Sequence, residues 1–183
     1  MGHIALKECI SKTGEPFTLR TAEPDDALRM LAYVRAVAKR TSFFIIEPDE
    51  FDMTEEEERE WIQDHCDGRG KLLIVAEADG RVIGSLGFDN GERRRLAHRG
   101  TFGLSVVDEW RGKGVGTAML RALIDWAEEN PLIEKLNLNV FATNTKALGL
   151  YKKLGFVEYG RSPKEVKIGP GEYVDTILMH RYV

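Results

Sequence analysis

Between Leu104 and Thr117 an alternating apolar stretch runs straight into Asp108-Glu109-Trp110-Arg111-Gly112-Lys113-Gly114-Val115-Gly116-Thr117. A strand that ends in a glycine-dense loop and opens a helix is suited to holding a phosphate. Glycine lets the backbone come close to phosphate oxygens, and the unpaired N–H groups of a helix's first turn stabilise an anion together with the helix dipole. Arg111 and Lys113 add positive charge at the same place. Two common phosphate binders are disfavoured by the spacing. A nucleotide-hydrolysing loop needs G-x-x-x-x-G-K-[ST], and here Lys113 is followed by Gly114 in place of a hydroxyl. A dinucleotide loop G-x-G-x-x-G starting at Gly112 meets Thr117 where the third glycine belongs, and its strand sits in an antiparallel meander. Glu134, near the spacing of a ribose-binding acid, precedes the next strand instead of ending it.

Arg111-x-x-Gly114-x-Gly116 resembles the R/Q-x-x-G-x-G/A signature of the GNAT superfamily of N-acetyltransferases. A second stretch, Asn144-x-x-Ala147-x-x-Leu150-Tyr151-x-x-x-Gly155-Phe156, is similar to that family's N-x-x-A-x-x-L-Y-x-x-x-G-F segment, in the same order along the chain. The resemblance implies acetyl-CoA as cosubstrate. It implies that the backbone of Leu104, Ser105 and Val106 pairs with the pantetheine arm like an added strand. Arg111, Gly112, Lys113, Gly114, Val115, Gly116 and Thr117 would hold the pyrophosphate, while Asn144 and Tyr151 would meet coenzyme A near the thioester. It also implies an α/β (α+β) fold: a mixed, mostly antiparallel sheet of about seven strands flanked by helices, with acetyl-CoA at a splay between the fourth and fifth.

Acetyl transfer needs a neutral amine against the thioester carbonyl, stabilisation of the developing oxyanion, and a proton for the departing thiolate. Tyr151 is the candidate general acid, because a phenol with a pKa near 10 stays protonated at neutral pH. No residue stands out as the base: Asp108, Glu109, Glu47, Asp49 and Glu50 are all acids that could equally be ordinary surface groups. In the family the first two helices and their connection help form the acceptor pocket, which makes Phe43, Phe44, Glu47 and Asp49 the acceptor candidates, the acids favouring a cationic amine. Tyr173 and Asp175 resemble a C-terminal pattern in members that acetylate polyamines or protein N-termini, and strand alternation explains them equally well. His3, His65, His98 and His180 form neither a metal-ligand spacing nor a hydrolase motif, so no metal is expected.

The elements that must carry these residues can be read from periodicity. Phe17 to Arg20 reads as a strand, and Pro24-Asp25-Asp26 opens a helix whose apolar face is Leu28, Leu31, Val34 and Ala38. Thr54 and Glu57 form a capping box for a second helix running towards His65, with Trp61 and Ile62 turned inward and Glu55 to Glu58 mostly a solvated first turn. Leu72–Ala76 and Val82–Phe88 flank the hairpin turn Asp79-Gly80, and Phe102, Leu104 and Val106 alternate in a third antiparallel strand. Val115, Met119, Leu120, Leu123, Ile124 and Ala127 then share one face of a long helix ending near Asn130. A strand through Leu136, Leu138 and Val140 follows, and next a helix carrying Ala147, Leu150, Tyr151 and Leu154, stopped by Gly155. Two strands, 156–159 and 173–179, finish the sheet around Gly169-Pro170-Gly171.

With 183 residues the chain is long enough to bury a core of its own, and the expectation is one domain over 1–183 with an additional N-terminal strand within 1–16. A composition of 43% hydrophobic and 31% charged residues is that of a globular protein, and no apolar run approaches the roughly 20 residues of a membrane helix. Sparse cysteines, Cys9 and Cys66, and a start without signal-like features lead to a cytoplasmic expectation. Net charge of -4 gives no reason to expect nucleic acid, although Arg93-Arg94-Arg95 is a local basic run. The acceptor expected is a small-molecule primary amine such as a polyamine, amino acid or antibiotic-like compound. A protein N-terminus or lysine is the alternative within the class, and a non-catalytic acetyl-CoA sensor the alternative outside it. Dimers are common in the family, so a homodimer is also expected.

Overall fold

The computed structural model describes residues 2–183. Its elements follow in the order β1 (Lys7–Ile10), β2 (Pro16–Thr21), a 3-10 turn (Pro24–Asp26), α1 (Ala27–Ala38), α2 (Glu55–Asp67), β3 (Lys71–Ala78), β4 (Arg81–Asn90) and β5 (Arg99–Val106). A second 3-10 turn (Asp108–Trp110) leads to α3 (Val115–Glu129), β6 (Lys135–Phe141), α4 (Thr145–Lys153), β7 (Val157–Gly169) and β8 (Glu172–Tyr182). All eight strands form one sheet in the order β1-β2-β3-β4-β5-β6-β8-β7, antiparallel throughout except where β5 meets β6. The count is eight instead of seven because β1, the additional N-terminal strand, pairs antiparallel with β2. The junction expected between the fourth and fifth strands is accordingly the one between β5 and β6.

Strand β3 shows why the chain makes layers. Leu72, Ile74 and Ala76 point to a core shared with Met119, Leu120 and Leu123 of α3, whereas Leu73 and Val75 point to a second core with Met30, Tyr33 and Val37 of α1 and Ile62 of α2. Alternation with period two sorts one continuous apolar run onto both faces of the sheet. The turn between β3 and β4 uses left-handed conformations at Asp79 (φ 50°) and Gly80 (φ 71°), as a two-residue hairpin requires. The Thr54 capping box is present: the Thr54 hydroxyl accepts from the Glu57 amide (3.3 Å) and the Glu57 carboxylate accepts from the Thr54 amide (2.8 Å).

Three side chains depart from the periodic reading. Leu28 is 61% exposed. Helix α1 turns Ala27, Met30, Leu31, Tyr33, Val37 and Ala38 inward, so the buried stripe is offset from the one that begins at Leu28. Trp61 is 37% exposed and lies against His65 (ring centroids 4.3 Å) while Ile62 takes the fully buried position. Glu58 is buried at 3% exposure, one turn before the inward-facing Ile62, and burial raises its pKa with partial compensation from His65. The stripe predicted on α3, Val115 through Ala127, is buried as expected, while on α4 Tyr151 is buried and Ala147, Leu150 and Leu154 are half-buried.

Candidate active site

Strands β5 and β6 run parallel and pair only at Arg99–Lys135, Gly100–Leu136 and Thr101–Asn137. Beyond Thr101 they part. Strand β5 remains paired with β4 from Gly100 to Val106, so the backbone of 102–106 keeps one edge without a strand partner. An idealised Cβ on Gly103 would meet nothing within 4 Å, and Leu104, Ser105 and Val106 are half-buried. An unpaired strand edge at the carboxyl end of parallel strands, beside a crossover helix, is where α/β sheets receive ligands.

The loop that follows is shaped by left-handed glycines, Gly112 at φ 74° and Gly114 at φ 101°. Gly114 is the N-cap of α3 and offers no side chain to the first-turn N–H groups, which are left for a ligand. Gly116 sets this turn against β5, its Cβ position lying 3.6 Å from Leu104 Cδ2 and 3.7 Å from Leu150 Cδ2. The two loop cations are turned towards protein oxygens. Arg111 Nε donates to the Val106 carbonyl (3.0 Å) and its guanidinium pairs with Asp108 (2.5 Å). Lys113 Nζ donates to both oxygens of Glu15 (2.6 and 2.9 Å).

Helix α4 closes the other side. The Asn144 side-chain oxygen accepts from the Ala147 amide (3.2 Å) as N-cap. At the far end Gly155 takes φ 83°, its N–H bonds the Lys152 carbonyl (3.1 Å), and the Phe156 N–H bonds the Tyr151 carbonyl (3.1 Å). This is a Schellman cap, and it explains why a glycine and then a large apolar residue follow the tyrosine. The Phe156 ring then packs edge-on against Tyr151 (5.9 Å), and both rings meet Phe102 of β5 (5.6 and 6.0 Å). Tyr151 is thereby fixed beside the point where β5 and β6 separate. Its side chain is largely buried, and burial alone pushes its pKa up to about 12. A phenol so placed keeps its proton at neutral pH.

Of the acceptor candidates, Phe43 meets Phe141 at the end of β6 (6.2 Å, edge-on), which brings the α1–α2 connection to the mouth of the splay. Phe44 packs on the second core instead. Glu47 and Asp49 are exposed, and the Glu47 amide donates to the Glu50 carboxylate (3.0 Å). Asp108 and Glu109 are held in ion pairs with Arg111 and Arg40. Asp175 accepts from Arg161 (2.7 Å) and from the Lys164 amide (2.8 Å), so it braces the β7–β8 hairpin. Tyr33 was not singled out from the sequence. Its hydroxyl shares a hydrogen bond with Ser105 Oγ (2.8 Å), tying α1 to the unpaired strand, and burial drives its pKa upward. The signal was present in the spacing of Met30, Tyr33 and Val37 along α1.

A cavity of about 590 Å³ lies at the opposite end of α3, between His3, Arg69, Trp126 and Asn130, away from these groups. Among the described residues no three His, Cys, Asp or Glu side chains are grouped to hold a metal, and no helix is long and apolar enough to cross a membrane.

Residues 38–156 match the family model described as Acetyltransferase (GNAT) family. The L-amino acid N-acetyltransferase AaaT of Escherichia coli is 35% identical over 121 residues, 66% of this chain and 74% of that protein. The spermidine N(1)-acetyltransferase of Vibrio cholerae is 29% identical over 164 residues, 89% of this chain and 91% of that one. A GNAT-family acetyltransferase from Streptococcus pneumoniae superposes with a TM-score of 0.89 at 26% identity, covering 91% of this chain and 99% of its own.

Proposed function

Because this chain belongs to the GNAT family of acetyl-CoA-dependent N-acetyltransferases, we propose that it acetylates the primary amine of a small molecule, an amino acid or a polyamine, in one direct step. The observation that carries the reading is the junction at Phe102: an unpaired strand edge, a bare helix N-terminus and a proton-bearing Tyr151 converge there. The two relatives named above are an L-amino acid N-acetyltransferase and a spermidine N(1)-acetyltransferase, enzymes named for small amines.

The residues present fit acetyl-CoA. On the open edge of β5 the Leu104 backbone groups and the Val106 amide can pair with an extended amide-bearing arm, Ser105 being turned to β4 and the Val106 carbonyl already accepting from Arg111. The first-turn N–H groups of Val115, Gly116 and Thr117 are left for the diphosphate, with Gly112, Lys113 and Gly114 shaping the approach. Bound there, the thioester supplies an activated acyl group, whose C–S bond breaks as the N–C bond forms. The Tyr151 hydroxyl donates its proton to the leaving sulfur, the proton of the amine passes to solvent, and solvent returns a proton to the Tyr151 oxygen to close the cycle. No side chain forms a covalent bond to the acyl group. Asn144 fixes the start of α4 and so the position of Tyr151. Phe43 forms an apolar wall at the end of β6, and Glu47 and Asp49 place negative charge where a cationic amine would approach. Residues 1–183 act as one domain in this reading, working as a homodimer in the cytoplasm.

The test is release of free coenzyme A thiol from acetyl-CoA in the presence of amino acids, polyamines, aminoglycosides and N-terminal peptides. Amine-dependent release with the first two classes supports the reading. Release only with peptides moves the acceptor to protein N-termini. Tight acetyl-CoA binding without release from any acceptor makes the chain a sensor.

A further inference from the structure

The loop expected to present two cations to phosphate has both of them engaged. Arg111 is committed to Asp108 and the Val106 carbonyl, and Lys113 to the Glu15 carboxylate. Glu15 is supplied by the turn between β1 and β2, which lies outside the residues matched by the family model. This turn is tightly built. Ser11 is buried, its amide donates to the Glu15 carbonyl (2.8 Å), its hydroxyl accepts from the Glu15 amide (3.0 Å), and the Gly14 amide closes back on the Ser11 carbonyl (3.0 Å).

The same turn docks on the phosphate loop through its backbone. The Lys12 amide donates to the Lys113 carbonyl (2.8 Å), and Phe17 of β2 packs edge-on against Trp110 (6.1 Å), whose ring also carries Lys113 Nζ at 5.0 Å. The Lys12 side chain runs across Gly114: an idealised Cβ there would lie 3.6 Å from Lys12 Cγ and 3.9 Å from Cε. Lys12 is exposed and makes no ion pair among the described residues, in contrast to Arg111 and Lys113. The end of the Lys12 side chain therefore lies beside the left-handed N-cap of α3, carried by a backbone that is hydrogen-bonded to the loop at Lys113.

Resting on the acetyl-CoA reading above, we infer that the β1–β2 turn is part of the donor site: Glu15 holds Lys113 as a structural strut of the loop, and Lys12 supplies the cation that binds a phosphate of acetyl-CoA. The arrangement gives residues 1–16 a role in cosubstrate affinity. It also separates loop shape from loop charge, assigning the first to the glycines and the Lys113–Glu15 strut and the second to Lys12. The phosphate is either the diphosphate or the ribose 3′-phosphate, and a ligand lacking the latter distinguishes them.

The experiment is calorimetric titration of the full chain with acetyl-CoA and with 3′-dephospho-acetyl-CoA, for the wild type, Lys12→Ala and Lys12→Arg. Lys12→Ala keeps the backbone amide bonded to Lys113 and removes only an exposed side chain, so its thermal midpoint should match the wild type. Its Kd for acetyl-CoA should rise about threefold to tenfold at low salt, the difference should shrink as salt increases, and Lys12→Arg should restore it. A loss seen with both ligands assigns Lys12 to the diphosphate; a loss seen only with acetyl-CoA assigns it to the 3′-phosphate. A wild type that binds acetyl-CoA and a Lys12→Ala variant within twofold of it overturn the inference alone. A wild type that binds neither ligand removes the donor reading and this inference with it.

Discussion

The proposed donor and acceptor sides of the splay are built by opposite means. The donor side, from Leu104 to Phe156, rests on backbone: an unpaired strand edge, two left-handed glycines, an uncapped helix N-terminus and a Schellman cap that seats Tyr151. The proposed acceptor side, the connection between Ala38 and Glu55, rests mostly on exposed side chains of a segment without regular structure, with Phe43 on Phe141 as its aromatic anchor at the splay. Backbone geometry admits few sequences, whereas an exposed loop admits many. One frame can thus keep a single acyl donor while the acceptor changes.

The comparison predicts that substitutions on the donor side have large and separable effects. Tyr151→Phe should lower kcat about 100-fold while the acetyl-CoA Kd stays within about twofold, because only a transition-state proton donor is lost. A rate within threefold of wild type would remove Tyr151 from the mechanism. Because burial holds the Tyr151 proton up to about 12, the wild-type rate should climb with pH as the amine becomes neutral and show no fall through about pH 10. The sign for stability is opposite. The unfolded tyrosine ionises near 10 while the folded one does not, so its contribution is intact below about pH 10 and declines above it. Next in size, Gly114→Val should raise the acetyl-CoA Kd about 30-fold, since a β-branched residue at φ 101° costs on the order of 1–3 kcal/mol and the loop relaxes away from the ligand. Calorimetry with a circular-dichroism check of folding measures it, and affinity within threefold would show that the loop's shape is unimportant.

On the acceptor side the effects should be smaller and confined to one substrate. Phe43→Ala should raise the acceptor KM about fivefold, as expected for a half-exposed aromatic contact, and move the acetyl-CoA KM less than twofold. Steady-state kinetics with both substrates varied decides it. An equal rise in both constants would mean that the loop supports the donor site as well.

The same contrast accounts for what could be read from the sequence. The glycine loop and the Asn144 to Phe156 segment were legible as motifs because their local geometry calls for particular residue types: glycines at positive φ, a side-chain cap, and an aromatic set between Phe102 and Phe156. Helix α3 and strand β3 were legible because their apolar period is long and uninterrupted. The phase of α1 was missed because Leu28 is apolar yet exposed, and Trp61 and Glu58 exchanged the environments their types suggest. Lys12 on Gly114, Glu15 on Lys113 and Tyr33 on Ser105 join segments about 70 to 100 residues apart, and no local pattern announces such pairs.

Tyr33 and Ser105 mark the seam between the two sides, and the smallest predicted effect tests whether the seam transmits anything. Tyr33 is buried in the acceptor-side core and Ser105 lies in the donor strand, two residues past Gly103. Tyr33→Phe keeps the ring in the core it shares with Val37 and Val75 and removes the hydrogen bond to Ser105, leaving the Ser105 hydroxyl to find another partner. The net loss should be about 1 kcal/mol of stability, read from chemical denaturation. If the sides are independent, both KM values should move less than twofold, because β5 is held by its ladder to β4 along Gly100–Val106 whatever Tyr33 does. If instead the acetyl-CoA KM rises with the acceptor KM while the stability loss stays near 1 kcal/mol, α1 positions the donor strand. The division between a backbone-built and a side-chain-built half then holds for recognition but not for alignment.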